Sequence, residues 1–203
     1  MNVISIKNLL KKILNYSKGK KRFIIAIAGP PGSGKSTISN KISFYLGKKI
    51  KILPMDGFHL ENQQLINLKL LDRKGSPETF DTKKFVNTVK KLKKSETIFY
   101  PTFDRSLDKT IPNSEVITKC NKIILVEGNY LLLNYKPWSN LRNLFDLTIF
   151  LDVKKKELMS RLIRRWIDHG LTEMQAKKRA IGNDMVNVEV VLKKSFRADY
   201  KLF

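Results

Sequence analysis

An α/β domain with a mainly parallel sheet covered by helices is the fold class this sequence predicts. Three observations carry it. Short apolar runs, Phe23–Ala28, Ile50–Met55, Ile123–Val126 and Leu147–Leu151, alternate with segments of helical period. Ile123–Val126 and Leu147–Leu151 are continuously apolar, as in strands buried on both faces, which is the habit of parallel rather than antiparallel sheets. Between the first two runs lies a glycine-rich turn that opens directly into a helical pattern.

The N-terminal segment, roughly residues 1–20, repeats Val3, Ile4, Ile6, Leu9, Leu10, Ile13 and Leu14 at helical spacing with Lys7, Lys11 and Lys12 between them. This pattern predicts an amphipathic helix packed on the domain; it lacks the features of a signal peptide and the Arg of a mitochondrial presequence. Phe23–Ala28 is the first strand. Ser36–Leu46 is its helix, with Gly47 as the stop signal. Ile50–Met55 is the second strand and Asn62–Leu71 a second helix, followed by a turn-rich stretch to Phe80. Thr82–Lys94 places Phe85, Val86, Val89 and Leu92 on one helical face. Ile98–Tyr100 and Glu115–Thr118 are short and read as edge strands or a hairpin. After the third and fourth buried strands, Lys154–Asp168 and Thr172–Lys194 read as two long helices separated at Gly170. Absence of repeats, linkers and composition breaks predicts one domain over residues 1–203.

The glycine turn carries the chemistry. Gly29, Pro30, Pro31, Gly32, Ser33, Gly34, Lys35 and Ser36, with Thr37 behind them, fit G-x-x-x-x-G-K-[ST] between a strand and a helix. Gly29, Gly32 and Gly34 can adopt φ > 0, so successive backbone N–H groups turn inward as an anion nest, and the helix beginning near Lys35 adds its positive end. Lys35 is expected at the β- and γ-phosphates of ATP and Ser36 on Mg²⁺. A dinucleotide site is disfavoured, since the loop is not G-x-G-x-x-G and such a site has no use for Lys35-Ser36.

Asp56 falls just after the second strand, at the sheet edge that faces ligand in such folds; it reads either as the base that accepts a substrate hydroxyl's proton or as a turn residue before Gly57. Glu127 ends a buried strand and is a candidate oxygen ligand for Mg²⁺. Asp152, after the next strand, reads as a helix N-cap. Arg161, Arg164 and Arg165 cluster on one predicted helix in a chain otherwise dominated by Lys, with 161 and 165 on one face; they are either phosphate contacts on a mobile lid over 154–194 or an exposed helix face. His59 stands three residues beyond Asp56.

Bulk composition narrows the partners. The net charge of +22 comes from 40 Lys and Arg against 18 Asp and Glu, scattered as Lys pairs rather than gathered into Arg stripes or aromatic platforms, so nucleic acid is disfavoured as a partner. No apolar run approaches the ~18–20 residues of a membrane span. One cysteine, Cys120, permits no internal disulfide and fits a cytoplasmic location.

Together these residues resemble the phosphoribulokinase/uridine kinase/pantothenate kinase family of P-loop kinases over roughly residues 22–200. The loop Gly29–Thr37 matches. The segment Pro54–Leu60 is similar to the one holding the family's general base, and Arg73–Asp81 to the G-x-P-E-x-x-D stretch of pantothenate kinase-like members. Tyr100–Arg105 falls where the family places acceptor contacts, Val126–Asn129 resembles its strand-end acidic motif, and Arg161–Trp166 with Gly170–Asn187 its mobile lid. The most similar branch is the bacterial nucleoside/nucleotide kinase or fructose-transport kinase-like proteins.

The resemblance implies a P-loop NTPase-type fold and ATP:alcohol phosphotransfer with Mg²⁺. Asp56 would be the base, with Lys35, Arg161 and Arg165 on the phosphates and Ser36 and Glu127 at the metal. His59, Arg73, Tyr100 and Arg105 would contact a small hydroxylated acceptor. The uridine kinase aromatic–histidine pattern is not evident, the chain is much shorter than bacterial pantothenate kinases, and a homodimer stays open. A nucleic-acid-dependent NTPase and a regulatory nucleotide-binding protein are the competing classes.

Overall fold

The computed structural model describes residues 2–202; of the expected 1–203 domain, Met1 and Phe203 lie outside the described residues. Its centre is a six-stranded, wholly parallel sheet in the order β1 (Asn2–Val3), β8 (Tyr200–Leu202), β7 (Leu147–Leu151), β2 (Phe23–Ala28), β6 (Ile123–Gly128), β3 (Ile50–Pro54). β4 (Ile98–Asp104) and β5 (Lys109–Ile117) form a separate antiparallel hairpin.

β2 shows why both faces carry helices. Its even residues, Ile24, Ala26 and Ala28, enter a core shared with Phe85, Val86 and Val89 of α4 (Thr82–Lys91) and with the hairpin's Ile98, Tyr100 and Ile117. Its odd residues, Phe23, Ile25 and Ile27, enter a second core with Leu9 and Ile13 of α1 (Ile6–Tyr16) and Ile42 of α2 (Lys35–Leu46). A strand apolar at every position is the sequence image of a sheet sandwiched between two helical layers. Arg22, just before β2 and 8% exposed, donates to the carbonyls of Leu92, Ser95, Glu96, Thr118 and Asn121, fastening the end of α4 to the hairpin.

Several elements differ from expectation for local reasons. The helix expected over Asn62–Leu71 is α3, Asn62–Asn67; the chain leaves it at Lys69, whose φ is +57°. α4 stops at Lys91 rather than Lys94. The hairpin strands are several residues longer than the apolar runs, because polar residues, Thr102 and Asp104 in β4 and Lys109, Asn113 and Ser114 in β5, interrupt the apolar pattern. β1 and β8, two and three residues long, were too short to carry a period.

After α5 (Lys155–Asp168), the helix expected over Thr172–Lys194 divides into α6 (Glu173–Arg179), a π turn over Ala180–Asp184, and α7 (Met185–Lys194). Leu158, Leu162, Ala180 and Val188 give this helical layer a small core of its own. Asp152 is not the N-cap of α5, a place taken by Lys154; its carboxylate pairs with Lys201 at 2.5 Å and so joins β7 to β8. No helix among the described residues is long and apolar enough to cross a membrane.

Candidate active site

All the strands of the main sheet run the same way, so their carboxyl ends share one edge. β2 lies in the middle, with β6 and β3 on one side and β7, β8 and β1 on the other. Ligands bind at such a switch point in open parallel sheets. The loop Gly29–Gly34 leaves β2 there and turns into α2.

Two of its glycines are left-handed, Gly32 at φ +78° and Gly34 at +86°, as the anion-nest reading requires. Gly29 differs: its φ is not positive, and a Cβ there would lie 2.8 Å from Ser33 Oγ and 3.0 Å from the Leu151 carbonyl, so close approach to β7 is what demands glycine. Lys35 Nζ donates to the carbonyls of Gly29 (3.0 Å) and Pro30 (2.9 Å) and lies 3.5 Å from Ser33 Oγ. Burial of this ammonium lowers its pKa from 10.5 to about 8, against the opposing pull of Glu127 and Asp56.

Glu127, in register with Pro54 on β3 and Ile27 on β2, reaches back to α2. Its Oε1 accepts from Ser36 Oγ at 3.0 Å and its Oε2 from Ser39 Oγ at 3.3 Å. Burial raises its pKa, partly offset by the Ser36 hydroxyl and Lys35. A carboxylate beside a hydroxyl is an all-oxygen donor pair, the chemistry Mg²⁺ prefers when waters and phosphate oxygens complete its shell. No group of three or more His, Cys, Asp or Glu among the described residues makes a dedicated metal cage.

Asp56 sits in the single turn Met55–Phe58 that follows β3. A Cβ on Gly57 would collide with the Pro101 carbonyl of β4, so the turn is pressed onto the hairpin. Pro54 at the end of β3 is in register with Glu127 of β6, so Asp56, two residues on, leaves the same sheet edge as Glu127, and Arg105 from the hairpin pairs with its Oδ2 at 2.6 Å. The pair is partly solvated, so its own contribution to stability is small.

The remaining expected residues are dispersed. Arg161 on α5 donates to the Gly32 carbonyl (3.2 Å) and pairs with Glu157, so it touches the loop. Arg165 instead pairs with Asp184 at 3.1 Å, and Trp166 Nε1 donates to the same carboxylate at 2.5 Å. Arg164 pairs with Asp168 in solvent. Arg73 donates to the Gly182 carbonyl at 3.2 Å, linking the turn-rich segment to the π turn. The His59 ring stacks between Phe80 and Phe103, at centroid distances of 4.1 and 4.7 Å, and its Nδ1 lies 2.7 Å from the Asp56 carbonyl; burial lowers its pKa. In this position it supports the Asp56 turn.

Tyr100 is a correction. Expected among the acceptor contacts, it is 2% exposed, and its hydroxyl donates to the Ile52 carbonyl at 2.8 Å because the hairpin packs it under β3. Tyr100→Phe should therefore cost about 1–2 kcal/mol in urea denaturation, for the orphaned carbonyl, and leave the acceptor KM unchanged. A rise in KM with stability intact would return Tyr100 to the acceptor site.

Two residues escaped sequence reading. Ser39 had a signal, its i+3 spacing from Ser36 on the face toward β6. Asp184 had none, because its partners come from α5 through the π turn.

A glycine loop with a half-buried lysine and a serine, leaving the central parallel strand beside strand-end carboxylates, defines a P-loop nucleotide-binding protein. The sequence profile of the phosphoribulokinase/uridine kinase family matches residues 24–179. A candidate uridine kinase of Schizosaccharomyces pombe is 32% identical, with 99% of this chain and 91% of the relative covered. Escherichia coli YggC, an uncharacterized protein, is 34% identical over 89% of this chain and 77% of its own. A crystal structure from Silicibacter sp. TM1040, described as a candidate fructose transport system kinase, superposes with a TM-score of 0.92 at 37% identity over 98% of both chains. The chain belongs to the phosphoribulokinase/uridine kinase family and is a kinase of that family.

Proposed function

We propose that this kinase transfers the γ-phosphate of ATP to a hydroxyl of a sugar, a nucleoside or a related polar alcohol. The observation that carries the reading is that Asp56 and Glu127 leave adjacent strands at the edge where the glycine loop holds Lys35 and Ser36, with Ser36 bonded to Glu127. Backbone N–H groups of the loop Gly29–Thr37, its two prolines Pro30 and Pro31 excepted, hold the triphosphate. Lys35 leaves the loop carbonyls for the β- and γ-oxygens and balances the charge that develops between them. Mg²⁺, held by Ser36 and Glu127 when bound, supplies further charge neutralisation. Asp56 accepts the acceptor's hydroxyl proton as its oxygen attacks. Arg161, already on the loop, closes over the phosphates, and Arg165 joins it if its pair with Asp184 opens.

Arg105 must release Asp56 before the carboxylate can accept a proton, which suits an acceptor that offers Arg105 an oxygen of its own. The names of the similar proteins, a uridine kinase and a fructose transport system kinase, both point to sugar hydroxyls. Small soluble metabolites rather than nucleic acid or membrane partners are the expected reactants.

The test is ADP release against a panel of sugars and nucleosides, with the product checked for a phosphate ester. A pH profile adds a second test. In the free protein Lys35 loses its proton around pH 8, whereas a bound polyanion holds the proton on. Hence kcat/KM for ATP should fall above about pH 8, with kcat persisting to higher pH. A kcat/KM that stays flat to about pH 9.5 would remove Lys35 as the titrating group.

A further inference from the structure

The opposite end of the sheet gathers charge of its own. Arg22 immediately precedes β2 and Lys122 immediately precedes β6, so both stand at the amino ends of paired strands, about 20 Å along β2 from the phosphate loop. A cavity of about 160 Å³ opens there, between the chain that leaves α4 and the turn that follows β5. Its lining sets five cations, Lys21, Arg22, Lys93, Lys119 and Lys122, against one carboxylate, that of Glu96.

Little of this charge is cancelled within the chain. The buried Arg22 gives all five of its N–H groups to carbonyls, which satisfies its hydrogen bonds and leaves its charge without a carboxylate partner. Lys93 is paired, with Asp146 at 3.1 Å, and that carboxylate also takes Lys20. Among the described residues, Lys21, Lys119, Lys122 and Glu96 form no ion pair. The turn bearing two of these lysines is closed on itself. Thr118 N–H donates to Asn121 Oδ1 at 2.8 Å, and Asn121 N–H donates to the Thr118 carbonyl at 3.0 Å. Lys119 and Lys122 thus flank the cavity from a fixed support.

We infer that this cavity binds a small phosphate-type oxyanion, held by the ammonium groups of Lys21, Lys119 and Lys122 above the buried charge of Arg22. Ammonium groups on flexible stems can meet a tetrahedral anion from several sides, where a guanidinium fork would impose one plane. The volume falls below the roughly 300–1,000 Å³ of pockets for drug-sized ligands. It therefore admits an ion, or the phosphate end of a small monoester, and excludes a nucleotide. The cations ring a single hollow instead of tracking a groove, which favours a discrete anion over a nucleic-acid backbone. An occupant would tie the turn after β5 to the end of α4, the junction that Arg22 already fastens.

This site does not depend on the kinase reading, and the experiment keeps the two phosphate-binding places apart. Inorganic phosphate is titrated calorimetrically, at fixed ionic strength, into protein saturated with the magnesium complex of a non-hydrolysable ATP analogue, which fills the loop. The same titration is run on Lys21→Gln/Lys119→Gln/Lys122→Gln and on a control of equal net charge, Lys7→Gln/Lys11→Gln/Lys83→Gln. All six lysines are exposed, so both folds should hold. The expected result is one phosphate per wild-type chain, weakened roughly tenfold or more in the first variant and within about twofold in the control. Glycerol 3-phosphate, titrated in parallel, separates the sources: tighter binding than phosphate marks an ester as the natural occupant, and no tighter binding marks the free ion. Absence of saturable phosphate binding, unchanged affinity in the first variant, or equal weakening in both variants overturns the site.

Discussion

Replacing Asp56 by asparagine lowers acceptor phosphorylation by roughly 10²–10⁴-fold while Mg-ATP still binds. The substitution keeps the size and shape of the side chain, so the turn Met55–Phe58, pinned by Gly57 against Pro101 and by the His59 stack, stays in place. What disappears is a carboxylate able to take the hydroxyl proton as the bond to phosphorus forms. Arg105 also loses its charged partner at 2.6 Å. That pair is solvent-exposed on the Arg side, so its loss should change stability by less than about 1 kcal/mol. Turnover and stability therefore separate. Acceptor-dependent ADP release, paired with thermal melts and ATP titration, reads all three. Turnover at wild-type level would show that Asp56 is only a turn residue.

Lys35→Met should do two opposite things. Phosphoryl transfer falls by roughly 10²–10³-fold, because the developing charge on the β- and γ-oxygens loses its fixed cation. The ligand-free protein becomes more stable, by roughly 1–3 kcal/mol at pH 7, because the ammonium whose burial depresses the lysine pKa to about 8 is gone. The sign follows from linkage. The folded pKa lies below the unfolded value of 10.5, so the unfolded chain binds more protons between about pH 8 and 10.5, and wild-type stability rises with pH across that window. Below pH 8 the wild type carries the full penalty. The advantage of Lys35→Met is accordingly largest at pH 7 and shrinks as pH climbs toward 10.5. Denaturation of both proteins at pH 7 and 9.5 checks this; a variant less stable at both would mean that the contacts with Gly29 and Pro30 outweigh the cost of burial.

What the sequence disclosed and what it hid follow one physical division. β2, β6 and β7 were legible because burial on both faces leaves unbroken apolar runs, and the phosphate loop was legible because its glycines, lysine and serine answer to backbone geometry within eight residues. Glu127 and Asp56 could be placed at one edge because parallel strands bring their carboxyl ends together. Local reading failed where partners are remote. Tyr100 had the chemistry of a ligand contact, yet packing of the hairpin under β3 gave its hydroxyl to Ile52. Arg165 shares a helical face with Arg161, but the π turn supplied Asp184 to hold it. Asp152 looked like a cap until β8, three residues long and without a period of its own, brought Lys201 beside it. Gly29, expected in a left-handed turn, has no positive φ; its close approach to β7 is what requires glycine.

The central claim is that this loop delivers a phosphoryl group to an alcohol rather than to water. Its most direct test is to follow the γ-phosphate of isotopically labelled ATP, with and without a panel of sugars and nucleosides, in the wild type and Asp56→Asn. Label should enter an alcohol phosphate ester, one per ADP released, and only with a suitable acceptor and an intact Asp56. Label found solely as inorganic phosphate, at a rate indifferent to every acceptor and to residue 56, would contradict it.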